Sequence, residues 1–249
     1  DVSANNRALV ARSTDNGNNW TTVELPDANS AIYSLALNPL SLNMVYAAGA
    51  INYGDGAVWR SIDGGGTWSA GLNLAQERVY GVAVHPVTPT IIFAASDLHV
   101  WRSLDSGISW ATVLSSTLFG IGHGSLWIDG VNPNTVYAAL DGATTLYRSQ
   151  ALGELGTWTN VASGLPEIFA LSGNVTAPAT LYIGHQRGFQ RSTNQGASFT
   201  PPISGILWPD TNIHIIAASP SELNVAYASG PNGTVFRTGS GGQSWSQVF

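Results

Sequence analysis

The chain has no cysteine, no lysine and one methionine in 249 residues. Without cysteine there is no disulfide framework, no thiolate zinc site and no cysteine nucleophile. All nine basic residues are arginine, and they form no basic stripe that could track a nucleic-acid backbone, so no nucleic-acid partner is expected. Charged residues make up 10% of the chain, against roughly 25% in an average globular domain. No apolar run approaches the roughly 20 residues of a membrane helix, which predicts no membrane insertion. No segment keeps a helical period over a useful length. G-x-S-x-G, H-E-x-x-H, Walker and dinucleotide signatures are missing, and no cofactor or metal is expected. What is present is 44% apolar residues, 28 glycines and a net charge of −6. That balance excludes a disordered chain, and the length suits a single all-β domain. A polar surface built from Ser, Thr, Asn and Gly points to an extracellular or cell-surface setting.

One unit recurs six times. Arg followed by Ser or Thr stands at Arg12, Arg60, Arg102, Arg148, Arg191 and Arg237, spaced by 48, 42, 46, 43 and 46 residues. An aromatic follows eight residues later at Trp20, Trp68, Trp110, Phe199 and Trp245, and ten later at Trp158. The fullest copies are RSTDNGNNW (Ser13, Asp15, Gly17), RSIDGGGTW (Ser61, Asp63, Gly65) and RSLDSGISW (Ser103, Asp105, Gly107). RSTNQGASF puts Asn194 in the Asp position, RTGSGGQSW puts Ser240 there, and RSQALGELGTW has lost the Asp and gained two residues.

This pattern resembles the Asp-box (BNR) repeat, S-x-D-x-G-x-x-W, of sialidases, sortilin-type receptors, xyloglucan-cleaving hydrolases and photosystem II assembly factors. The match covers essentially the whole chain. The resemblance implies a β-propeller in which each box is the hairpin between a blade's third and fourth strands, on the face away from any active site.

The residues lead to strands independently. AVWRS (57–61) and TVFRT (234–238) precede boxes, and TTVEL (21–25) and ATVL (111–114) follow them, giving hairpins around polar loops. Two further stretches precede each hairpin, such as YSLAL (33–37) and MVYAAG (44–49), split at Asn38-Pro39, or YGVAV (80–84) and IIFAA (91–95), split at His85-Pro86. Proline cannot donate to a ladder and ends the first of each pair. Four strands in about 45 residues is a propeller blade. The expected fold is all-β, a β-propeller of four-stranded antiparallel blades. Five blades are complete, near 30–70, 78–114, 122–162, 167–201 and 211–249, and a partial one spans 1–25, all in one domain. The missing start of the first blade and the Asp1 N-terminus suggest a piece of a longer chain, with possible association through the incomplete blade edge.

A feature repeated in every blade serves the blade. The box Asp is expected to accept loop N–H groups, the Ser to do so more weakly, the Gly to take positive φ and the aromatic to cover the hairpin. The repeat arginines should pack or pair beside it, and His85 should be structural, like Asn38. Binding is expected on the opposite face, where the candidate contacts are Tyr53, Asp55, Arg78, Tyr80, His99, Phe119, His123, Asp141, His185, Arg187, Trp208, Asp210 and His214.

Three function classes follow. The first is a noncatalytic binding or scaffolding propeller that engages protein or glycan through this face. The second is a lectin-like module using Trp208, Tyr53 and Phe119, although the loops differ between repeats where a repeated sugar site would not. The third is a glycoside hydrolase fragment. A sialidase needs an arginine triad, and setting the repeat arginines aside leaves Arg7, Arg78 and Arg187. A xyloglucanase-type site needs facing acids, for which spacing cannot select among Asp55, Glu77, Asp97, Asp141, Glu167 and Asp210. The noncatalytic reading is preferred. Sequons at Asn19, Asn174 and Asn232 would permit glycosylation.

Overall fold

The computed structural model describes residues 6–52, 54–96, 98–116, 125–140, 144–174, 177–185, 188–200, 213, 215–219, 221–230 and 233–249, with backbone alone at 177–179. The chain divides into two compact units, 1–115 and 116–249.

The first unit holds three antiparallel sheets. Strands β1 (Leu9–Arg12) and β2 (Thr21–Glu24) pair across the first box. The next sheet runs β3 (Ala31–Leu37), β4 (Val45–Ile51), β5 (Asp55–Ser61), β6 (Ser69–Leu74), each strand beside its sequence neighbour. The third repeats this with β7 (Val79–Val84), β8 (Ile92–Ser96), β9 (His99–Ser103) and β10 (Ala111–Ser115). The second unit repeats it again. Its sheets are β11 (Ser125–Ile128) to β14 (Thr159–Ala162) through β12 (Val136–Leu140) and β13 (Thr145–Ser149); β15 (Ile168–Asn174), β16 (Ala177–His185) and β17 (Gly188–Ser192); and β18 (Ile216–Ala218), β19 (Ala226–Ser229), β20 (Val235–Thr238) and β21 (Ser246–Gln247). In the three-stranded sheet, Thr200 N–H still donates to Arg191 O at 2.8 Å before the chain enters 201–212, outside the described residues. Six sheets in series, each a meander of up to four strands, are the blades that the sequence predicted.

The second strands β4 and β12 are apolar because both their faces are covered. VYAAGAI in β4 and VYAAL in β12 are buried along nearly their whole length. In the first unit the apolar clusters gather Tyr46, Val58, Val79 and Ile92, and Ala8, Leu25, Ala47 and Trp59. In the second they gather Tyr137, Leu146, Ile168 and Leu181, and Tyr182, Phe189, Phe236 and Trp245. A fully buried ring such as Phe93 contributes about 1.5–3 kcal/mol. Trp59, also fully buried, donates its indole N–H to Asp27 Oδ2 at 2.6 Å, fixing the segment that leads into β3.

In four sheets the turn between first and second strands is closed by a side-chain acceptor. Asn38 Oδ1 takes the N–H groups of Leu40 and Ser41, Asp129 Oδ1 those of Val131 and Asn132, and Ser219 Oγ those of Ser221 and Glu222. His85 does the same with Nδ1, accepting from Val87 at 3.3 Å and Thr88 at 2.8 Å. Imidazole here imitates a carboxamide, which places its proton on Nε2 and makes His85 structural.

Candidate functional site

In four of the sheets the box turn and the first-to-second strand turn lie at one end. Gly64 N–H donates to Asn43 O, Ser106 to Thr90 O, Leu152 to Asn134 O and Gly241 to Asn224 O, all at 2.8–2.9 Å. Each of these four boxes is thus tied to the other turn of its own blade, and the remaining strand ends point away from both.

Inside the boxes the hydroxyl is the constant feature. Gly17, Gly65, Gly107, Gly153, Gly196 and Gly242 each donate their N–H to the hydroxyl four residues earlier, at 2.8–3.1 Å. That hydroxyl is Ser in five repeats and Thr238 in the sixth. The glycines have φ between +60° and +89°, and the residue before each is also left-handed: Asn16, Gly64, Ser106, Leu152, Gln195 and Gly241. The acidic position closes the far side. Asp63 Oδ1 accepts from Thr67 N–H and Oδ2 from the Thr67 hydroxyl, both at 2.8 Å. Asp15 binds Asn19, and Asp105 binds Ser109, in the same way. These donors, chiefly the Thr67 N–H, hold Asp63 down to about 2. The Ser109 hydroxyl and N–H do so for Asp105, also to about 2, and the Asn19 N–H leads in lowering Asp15. Such carboxylates are saturated with donors and suited to holding a loop. Asn194 and Ser240 make the equivalent bonds to Ser198 and Ser244. Indole N–H groups of Trp20, Trp110 and Trp158 donate back to the box glycine carbonyl.

The opposite strand ends of the first unit carry a cavity of about 270 Å³, lined by Asn6, Asn29, Ser30, Ala31, Tyr33, Ala50 and Arg78. Asn6 Nδ2 donates to Asn29 Oδ1 at 3.0 Å. Beside it Tyr33 stacks on Tyr80, with ring centroids 5.1 Å apart and planes 26° apart. Both tyrosines sit where the first strand of their blade slips register against the second, between Ile32 and Ser34 and between Val79 and Gly81. A bulge inserts an unmatched residue and re-aims its side chain. Phe169 occupies the same position in β15, between Ile168 and Ala170.

Next to Arg78, Glu77 is buried and accepts from two groups. His99 Nδ1 lies 2.7 Å from Glu77 Oε1, and the Ser96 hydroxyl donates to the same oxygen. Ser96 also accepts the His99 N–H at 3.0 Å. The serine is bonded to the acid and not to the imidazole, so the trio lacks the serine–histidine contact of an acyl-transfer site. It orients His99, whose ring meets Trp101 at 5.7 Å.

Of the candidates read from sequence, Arg78, Tyr80 and His99 fall in this region. Asp55 Oδ1 accepts Gln76 N–H at 2.9 Å and pins the loop before β7. His185 is fully buried at the end of β16. Asn174 is also fully buried and donates to Glu222 O and Leu223 O, which closes that sequon to a glycan. Tyr53, Asp97, Phe119, His123, Asp141, Arg187, Trp208, Asp210, His214 and Asn232 lie outside the described residues. Tyr33, Asn6, Asn29, Ser30 and Ser96 were missed. YSLAL and YGVAV both begin with tyrosine, and that shared position was the available signal.

No family model matches the chain, and no curated protein matches it in sequence. Solved structures do match. A GH74 xyloglucanase from Xanthomonas campestris superposes with a TM-score of 0.65 at 21% identity, over 88% of this chain and 38% of its own. YCF48 from Cyanidioschyzon merolae gives 0.67 at 17% identity, over 99% of this chain and 83% of its own. A nidogen/laminin complex gives 0.62 at 13% identity, over 87% and 79%. The fold is a β-propeller. The chain spans about a third of the GH74 enzymes it resembles, 31% of one and 38% of another. Identities this low speak for fold alone.

Proposed function

We propose that this chain is a noncatalytic binding propeller of an extracellular or cell-surface protein, that its six turns are Asp boxes, and that it engages a protein segment through the face opposite them. The observation that carries this reading is the stacked pair of bulge tyrosines beside a cavity at the strand ends away from the boxes. Two rings on rigid strands offer contact area at low entropic cost, and Arg78 and the asparagine amides supply hydrogen bonds around them. Two structural neighbours are held with protein partners in their own structures, nidogen with laminin and YCF48 with a D1 peptide. The dense hydrogen bonding of the box carboxylates supports a structural role for them.

A second reading, glycan binding at the same cleft, is favoured by the Tyr33–Tyr80 stack, because an aromatic face suits a sugar ring. Probing peptide and glycan arrays with the wild-type chain and with a Tyr33→Ala/Tyr80→Ala variant tests both. We expect capture of peptide features that the variant loses while its melting temperature holds. Capture of glycans instead would select the second reading. Features that persist in the tyrosine variant and vanish in Asp63→Ala would place binding on the wrong face and overturn both.

A further inference from the structure

The cavity of the first unit is lined with one sign of charge. Among the described residues that line it, Arg78 alone is charged. Two acids lie close to the lining in sequence, and neither is part of it. Glu77, next to Arg78, is buried and committed elsewhere: its Oε1 accepts the Ser96 hydroxyl and lies 2.7 Å from His99 Nδ1. Asp27, just before Asn29, accepts the Trp59 indole N–H through Oδ2 at 2.6 Å.

The segment that carries Arg78 is held at three points. Gln76 N–H donates to Asp55 Oδ1 at 2.9 Å, a Cβ on Gly56 would run into the Glu77 carbonyl, and the Glu77 side chain is clamped to the next blade through Ser96 and His99. The guanidinium thus starts from a fixed backbone, which lowers the cost of ordering it on a ligand. The neutral groups beside it complement an acceptor. Asn29 Oδ1 accepts from Asn6 Nδ2 at 3.0 Å, which commits the oxygen and leaves the Asn29 NH2 group as a donor. Ser30 Oγ is already engaged, accepting Ala8 N–H at 2.9 Å and donating to Asp27 O at 2.8 Å.

A planar guanidinium fork matches the two oxygens of a carboxylate, and one cation balances one monoanion, where a phosphate dianion calls for more positive charge than this lining holds. The stacked rings of Tyr33 and Tyr80 stand beside the cavity as an apolar wall for the methylene stem of an acidic side chain. We propose that the cavity takes the carboxylate of an aspartate or glutamate side chain, with Arg78 as its counter-charge and the Asn29 amide as a second donor. This rests on the reading that the cleft binds a protein segment, and it adds what that segment must carry.

Two measurements test it. In an NMR titration of the labelled chain, N-acetyl-glutamate α-methylamide should shift the Arg78 Nε–H and Asn29 side-chain amide signals, and its neutral glutamine counterpart should not. On the peptide array, replacing Asp and Glu by Asn and Gln in captured sequences should lower capture on the order of tenfold or more, the loss expected of a charge-assisted hydrogen bond. Arg78→Gln should lower capture by a similar factor, and in that variant the acid-to-amide replacement should have little further effect. Arg78→Lys keeps the charge without the fork and should fall between, which guards against a variant that merely misfolds. Absence of shifts with the glutamate probe, or equal shifts with both probes, would overturn the proposal. Capture that needs Tyr33 and Tyr80 but ignores Arg78→Gln and the loss of acids would leave the protein-segment reading standing and overturn the carboxylate. Shifts with the glutamate probe and no captured peptide would uphold the carboxylate preference and defeat the protein-segment reading.

Discussion

Residues 1–115 close their three boxes with carboxylates, Asp15, Asp63 and Asp105, whereas residues 116–249 use Thr157, Asn194 and Ser240. The hydrogen-bond frame is the same in both. In each unit a hydroxyl accepts a glycine N–H, and two consecutive residues are left-handed. The fourth box absorbs two extra residues and keeps this frame, with Gly153 N–H on Ser149 Oγ at 3.1 Å. The turn is thus built on the hydroxyl and the left-handed pair. The acid is one of several ways to cap it, which is why Asn and Ser can stand in its place.

The largest effect expected from breaking this frame comes from the glycines. Gly107→Ala and Gly242→Ala force a side chain into φ of +83° and +85° and against Tyr46 or Tyr182. Each should cost about 3 kcal/mol in urea denaturation, near the top of the range for a strained backbone. Gly17→Ala carries the strain without the crowding and should cost nearer 1 kcal/mol. Equal losses at all three would show that the rings do not press on the boxes.

Removing the hydroxyl should come next. Ser61→Ala and Ser192→Ala each strand a buried glycine N–H, at a cost of about 1–3 kcal/mol. The comparison predicts similar values in the two units. A large loss at Ser61 and none at Ser192 would mean that the acid, and not the hydroxyl, organises the turn.

Exchanging the cap should matter least at neutral pH. Asp63→Asn reproduces the Asn194 arrangement and should leave the denaturation midpoint unmoved, while a clear fall would break the equivalence. Acid sharpens the contrast. Asp63 and Asp105 lie at about 2 in the folded chain, below the roughly 3.9 of an unfolded aspartate. A depressed carboxylate stabilises the fold above its unfolded value and loses that contribution as pH falls toward the folded one. Stability should therefore drain between about pH 4 and pH 2 through these boxes. The Asp63→Asn/Asp105→Asn variant should show a shallower loss across that window, and superimposable acid titrations would contradict the assignment.

The blade series was legible in the sequence because its signals are local: Arg followed by Ser or Thr, a glycine five residues after the arginine in all six copies, and an aromatic eight residues after it in five. His85 was legible too, since its turn is the equivalent of Asn38's in the preceding repeat. The left-handed residue before each glycine was not, because Asn16, Ser106, Leu152 and Gln195 share no side-chain type. Nor was the target of the repeat arginines, since the bond from Arg191 to Gly241 joins neighbours 50 residues apart. Arg78, Tyr80 and His99 were placed from register at the strand ends away from the boxes. Tyr33 was passed over because a bulge is a property of strand pairing, and its mark in the sequence, a tyrosine shared with the start of β7's stretch, shows only when the two repeats are set side by side. His185 was misplaced outward, because a strand-end residue paired with Gly188 reads in sequence like a loop residue.

Amide hydrogen exchange at the box glycines tests most directly whether one frame holds both halves of the chain. The N–H groups of Gly65, Gly107, Gly196 and Gly242 should be protected to similar degrees at neutral pH, since each donates to a buried hydroxyl. Protection at Gly65 and Gly107 with rapid exchange at Gly196 and Gly242 would contradict it.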